Sequence, residues 1–133
     1  MRTEELRIDT SGRRVVDVTD RVRSFASSSG SGLLHLFLPH ATAGLALLET
    51  GSGSERDLEE ALERLLPRDD RYAHRHGTED HGGDHLLPAF VSPSLVLAVE
   101  DGELELGTWQ SVVIVDPNRD NDVRRLRLSF LEG

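Results

Sequence analysis

One stretch in the middle of the chain restricts the fold more than any other. Tyr72-Ala-His-Arg-His-Gly-Thr-Glu-Asp-His-Gly-Gly-Asp-His85 offers almost no apolar side chain, and its three glycines let the backbone bend tightly. It cannot hold itself in shape by packing, so regular core elements must lie on either side of it. Four of the six histidines, His74, His76, His81 and His85, fall within it, with Glu79, Asp80 and Asp84 between them. Such a segment is either a solvated surface loop or a loop ordered by what it binds. His40 comes from a separate strand-rich region and could complete a metal site.

The flanking sequence predicts those core elements. Glu5 to Thr10 and Arg14 to Val18 flank Ser11-Gly12 and read as a hairpin. Asp17, Thr19 and Asp20 offer N-caps for a helix carrying Val18, Val22, Phe25 and Ala26 at helical spacing. Leu33 to Pro39 and Gly44 to Glu49 are apolar runs that read as strands, with His35 inside the first as a satisfied sheet residue. Ser54 to Leu66 is the clearest helix, capped by Ser54, with Leu58, Ala61, Leu62, Leu65 and Leu66 on one face and Pro67 ending it. Asp84 to Phe90 forms at most a short helix, limited by Pro88 and with Asp84 as its N-cap. Strands follow at Ser94 to Val99, at Leu104 and Leu106 after the Asp101-Gly102 turn, and at Trp109 to Val115 and Val123 to Leu131. In the last, Val123, Leu126, Leu128 and Phe130 oppose Arg125, Arg127 and Ser129. Seven or eight strands with two or three helices in 133 residues imply a single α+β domain over residues 1–133.

Composition narrows the chemistry. Without cysteine, any metal must be held by nitrogen and oxygen. All fifteen basic residues are arginine, so Schiff-base chemistry on lysine is excluded. A formal charge of −9 argues against nucleic acid or anionic membranes as partners. The charged MRTEELRID start and the lack of a long apolar run make a cytoplasmic protein the expectation. There is no P-loop, dinucleotide fingerprint or nucleophile elbow.

Four stretches, Pro39-His-Ala-Thr-Ala-Gly-Leu-Ala-Leu-Leu-Glu49, Tyr72-Ala-His74, Asp84-His-Leu86 and Gly102-Glu-Leu-Glu-Leu-Gly-Thr-Trp-Gln110, resemble the YjbQ family, also called uncharacterised protein family 0047, in that family's order. The resemblance implies a mainly antiparallel α+β fold, a homotrimer and a histidine-lined site for a divalent metal, zinc above all. It also implies an activity of the secondary thiamine-phosphate synthase kind, which joins an aminopyrimidine diphosphate to a thiazole phosphate. A small anionic substrate would follow, with magnesium as an alternative ion for its diphosphate. The chain departs from the family at His81, where many members carry Asn, and at Val115 to Arg125, where many carry an Asp-Gly-Pro-Arg run.

On this resemblance His40, His74 and His85 are the expected metal ligands, with His81 a further candidate. His40 and Glu49 are the expected catalytic groups, Glu49 as a general base or as the orienter of a histidine. Thr42, Trp109, Arg119 and Arg124 are substrate-binding candidates, Trp109 being otherwise a packing residue. His76 should face away from His74 if that piece is extended. His81 and His85 share a face only if Gly82-Gly83 is helical, which glycine disfavours. A metal-assisted hydrolase and a non-catalytic metal-binding trimer are the competing functions.

Overall fold

Val112-Val-Ile-Val115 is an unbroken β-branched run, the pattern of a strand covered on both faces, and it becomes the middle of the smaller of two sheets. The computed structural model describes residues 1–74 and 81–133, and among these it has eight strands and three helices. In chain order they are β1 (Arg2–Asp9), β2 (Val15–Asp17), α1 (Thr19–Ala26), β3 (Gly32–Phe37), β4 (Gly44–Leu48) and α2 (Ser54–Leu65). A single 3₁₀ turn (Gly82–His85) leads into α3 (Leu87–Phe90), followed by β5 (Ser94–Glu100), β6 (Glu103–Leu104), β7 (Ser111–Val115) and β8 (Val123–Glu132). One sheet runs β1-β8-β3-β5-β6 and the other β2-β7-β4, and all pairings are antiparallel. The α+β class and its antiparallel character are as expected.

Burial follows from the alternation. Leu34, Leu36, Leu97, Val99, Leu126, Leu128 and Phe130 point inward from the larger sheet and meet Val16, Leu45, Val112 and Ile114 from the smaller one. Val22, Phe25 and Ala26 of α1 close the same core. The other face of the smaller sheet carries Val113 and Val115, which pack with Leu87 under Leu58, Leu62 and Leu66. β7 is therefore buried from Val112 to Val115 on both sides. Ala61 and Leu65, expected on the buried face of α2, are exposed, so the helix seats through a narrower stripe than its sequence suggests. Gly53, not Ser54, is its N-cap residue, and the Glu55 carboxylate instead accepts the Gly51 N–H.

Two expectations about pairing change. The stretches around Ser11-Gly12 do not pair with each other: β1 joins β8 and β2 joins β7. Leu6 and Ile8 face Val16 and Val18 across the core, so the turn is a corner between layers. In β8 the inward set is Arg124, Leu126, Leu128 and Phe130, while Val123 is 41% exposed. The alternation thus places an arginine, 1% exposed, at the end of an apolar row.

That arginine is matched. Its Nε and Nη2 donate to the two oxygens of Asp116, each at 2.8 Å, and Nη2 also donates to Thr42 Oγ1 at 2.8 Å. Thr10 Oγ1 donates to Asp116 at 2.7 Å. Removing one member strands a buried charge. Asp116→Ala is expected to cost about 3–5 kcal/mol. Arg125→Ala, which removes an exposed guanidinium 3.8 Å from Glu5, should stay within about 0.5 kcal/mol. Urea unfolding of both variants measures the contrast.

Candidate metal centre

The polar stretch reaches the body of the protein through Tyr72. Its hydroxyl donates to the Pro67 carbonyl at 2.7 Å, at the end of α2. Its ring lies over the 3₁₀ turn so closely that a Cβ on Gly82 would fall 2.7 Å from Tyr72 Cβ, and one on Gly83 would fall 2.9 Å from the hydroxyl. The two glycines are needed for this approach, and they adopt helical geometry in spite of their low propensity. The turn brings His81 and His85 to one side, contrary to the expectation from glycine propensity.

His74 joins them. Its ring stacks on His85 with centroids 3.8 Å apart, and His81 lies 5.3 Å from His74 and 5.0 Å from His85. One ring nitrogen from each of the three lies within 4.8 Å of the others. His81 is buried, and His74 and His85 are half-buried. Three converging imidazoles form a donor set that fits a borderline cation such as zinc; hard magnesium favours oxygen ligands.

The loop after β7 supports this turn. Asn118 and Asp120 each donate a backbone N–H to the side chain two residues earlier, Asn118 to Asp116 at 3.2 Å and Asp120 to Asn118 at 3.0 Å. Asn118 Nδ2 donates to Asp84 at 3.0 Å, and Arg68 Nη2 donates to the other Asp84 oxygen at 2.9 Å. Arg68 also donates to the Pro117 carbonyl. Asp120 Oδ2 lies 3.2 Å from His81 Nδ1. Asp84, expected to cap a helix, is 5% exposed inside the 3₁₀ turn and ties it to this loop and to Arg68. Sequence reasoning assigned no role to Asp116, Asn118, Asp120 or Arg68. The Asp-x-Asn-x-Asp spacing was the available signal, because Asp and Asn hydrogen-bond backbone two residues on.

The remaining candidates lie as follows. His40 is outside the three-histidine group; its Nε2 accepts the Arg125 backbone N–H at 2.9 Å. Thr42 is buried and accepts from Arg124, whose guanidinium turns to Asp116 and away from solvent. Glu49 is exposed beyond the end of β4, and Arg119 is exposed on the loop. Trp109 is 72% exposed in the turn before β7, so it is not a core residue of the chain. His35 is satisfied within the sheet by Ser94, 2.9 Å away. His76, Glu79 and Asp80 lie outside the described residues.

Burial, and then the neighbouring Arg124 and Arg125 charges, hold the His40 pKa below its ordinary value. The folded state therefore resists a proton that the unfolded chain accepts near pH 6.5. The contribution of neutral His40 is complete above that pH and is lost as pH falls toward the folded pKa. His40→Gln keeps an acceptor for Arg125 and removes the titration. It should lose less stability than the wild type between about pH 7.5 and about pH 5.5, measured by urea unfolding.

The comparisons agree with this architecture. A family model described as UPF0047 protein YjbQ-like matches residues 4–133. UPF0047 protein Rv2556c of Mycobacterium tuberculosis is 58% identical over 133 residues, covering all of both chains. A UPF0047 protein of Methanothermobacter thermautotrophicus is 32% identical, over 96% of this chain and 90% of its own. A solved structure of the hypothetical protein APE1520 from Aeropyrum pernix K1 superposes with a TM-score of 0.88 at 29% identity, covering all of both chains. A protein of unknown function from Sulfolobus solfataricus P2 has the same fold, with a TM-score of 0.90 at 23% identity over 99% of this chain and 97% of its own. The chain belongs to the UPF0047 YjbQ-like family, whose function is not established.

Proposed function

We propose that this chain is a metal-dependent enzyme acting on a small anionic substrate, with His74, His81 and His85 holding a divalent cation, zinc first. The observation that carries this reading is the convergence of one nitrogen from each imidazole within 4.8 Å. Held by these three residues, a zinc ion would supply Lewis-acid polarisation of a substrate oxygen or of a departing diphosphate. Other candidate groups of the chain would bind and orient the substrate. With Nε2 engaged by Arg125, neutral His40 carries its proton on Nδ1 and offers it as a donor to a bound oxyanion. Glu49, Arg119 and Trp109 are exposed, but Glu49 and Trp109 flank the Ser111 end of β7, opposite the Val115 end from which the loop to the histidines leaves, so within one chain they do not stand beside the three imidazoles. The reaction class is the coupling of an aminopyrimidine diphosphate to a thiazole phosphate, as a secondary activity.

The purified protein should hold about one zinc per chain. His81→Ala and His85→Ala should each lose most of it, measured by elemental analysis after dialysis. Metal retained in full by both variants would discard the centre. Complementation of a thiamine-requiring strain by the wild type, abolished in His85→Ala, tests the reaction class.

We further propose that the protein works as a homotrimer. The outer face of the larger sheet supports this: Leu33 sits directly beside Leu131, and Val96 beside His35, with Val96 and Leu131 each 58% exposed. Val96→Glu together with Leu131→Glu should dissociate the assembly without unfolding the chain. Sedimentation equilibrium at micromolar concentration reads this out, and a monomeric wild type would remove the proposal.

A further inference from the structure

We propose that Asp120 is a positioning residue that fixes the ring of His81 for metal binding, an inference that rests on the three-histidine reading above. A carboxylate accepts but does not donate, so the 3.2 Å contact between Asp120 Oδ2 and His81 Nδ1 places the ring proton on Nδ1. The lone pair of the neutral ring is then on Nε2, the buried atom that would face the cation. A carboxylate behind a ligating imidazole also raises its basicity.

Asp120 is well placed for this because its own backbone is fixed. Its N–H is held by Asn118 Oδ1, and Asn118 spends its amide nitrogen on Asp84, inside the turn that carries His81 and His85. Asn118 in turn donates its N–H to Asp116, which the buried Arg124 grips through both carboxylate oxygens. The one side chain thus orients the ring, while the residue two positions earlier sets the distance between loop and turn. Asp120 itself keeps about a third of its side chain in solvent, its exposure being 35%.

Two measurements test this, one without metal. In ¹⁵N-labelled, metal-free wild type, long-range imidazole correlations, assigned with His81→Gln, should show His81 protonated on Nδ1. A ring protonated on Nε2 overturns the inference. In competition with a chromophoric chelator, Asp120→Ala should bind zinc about 10–100-fold more weakly than the wild type. Asp120→Asn, whose amide oxygen still accepts, should lose less. Metal-free Asp120→Ala should melt close to the metal-free wild type, which separates positioning from a structural role. Equal zinc affinity in the wild type and Asp120→Ala overturns this inference alone. Failure of the wild type to bind zinc sinks the metal reading and this inference with it.

Discussion

The buried pair of Arg124 and Asp116 is the interaction on which the rest of the site depends. Two charges withdrawn from water are tolerated only with close geometry and every remaining polar atom engaged. The geometry here is close: two 2.8 Å contacts join the pair, and Thr10 and Thr42 add a hydrogen bond to each partner. These four residues come from the end of β1, the turn before β4, the loop after β7 and the start of β8. The pair therefore fixes where both sheets end relative to each other. It also fixes the first residue of the loop that reaches the histidines. An apolar pair of similar volume would fill the space equally well, but it could not accept the Asn118 N–H and so could not set that loop.

From there the site is built mainly by polar contacts, with the Tyr72 ring against Gly82 and Gly83 as its packed element. The second core, under α2, ends at Leu66 and Leu87. Between these residues the described chain is held by Tyr72 on Pro67 and by Asp84 on Arg68 and Asn118. Hydrogen bonds are directional where apolar contacts are not, and three imidazoles need direction more than burial. The cost is dependence: each of these groups is satisfied only while its partner stays in place. A region with few apolar contacts belongs to the less stable part of a fold, and a ligand that crosslinks His74 to the turn would stabilise it by mass action.

How much of this was legible follows from which forces sequence patterns encode. Strands and the two longer helices were readable because burial imposes a period, and β7 was readable from its run of β-branched residues. The corner at Ser11-Gly12 was not, since a turn signal does not say whether its flanking strands pair with each other or with distant partners. In β8 the inward row of Leu126, Leu128 and Phe130 was legible, and only Val123 was misplaced, because the position that continues the row inward is a buried arginine. Resemblance pointed to a histidine site, and the structure groups His74 and His85 within it. Placing His40 in that group failed at short range, because its ring nitrogen meets the Arg125 backbone instead. His81 was undervalued because glycine propensity was weighed without Tyr72, whose ring occupies the space that side chains at positions 82 and 83 would need.

The placement of the arginines bears on what the site can do. For an anionic substrate, a chain of charge −9 needs a local source of positive potential. Yet Arg124 serves Asp116, Arg68 serves Asp84, Arg14 serves Glu63 and Arg71 serves Asp69. Each of these guanidiniums already faces a carboxylate, which lowers its attraction for a phosphate. A divalent cation on three neutral imidazoles has no such compensation in its own ligands and keeps its full charge. On the proposed reading, the anion is recognised by the metal and the arginines hold the scaffold that places it. That division accounts for an acidic protein devoting a fully buried arginine to structure while three histidines are gathered for the cation.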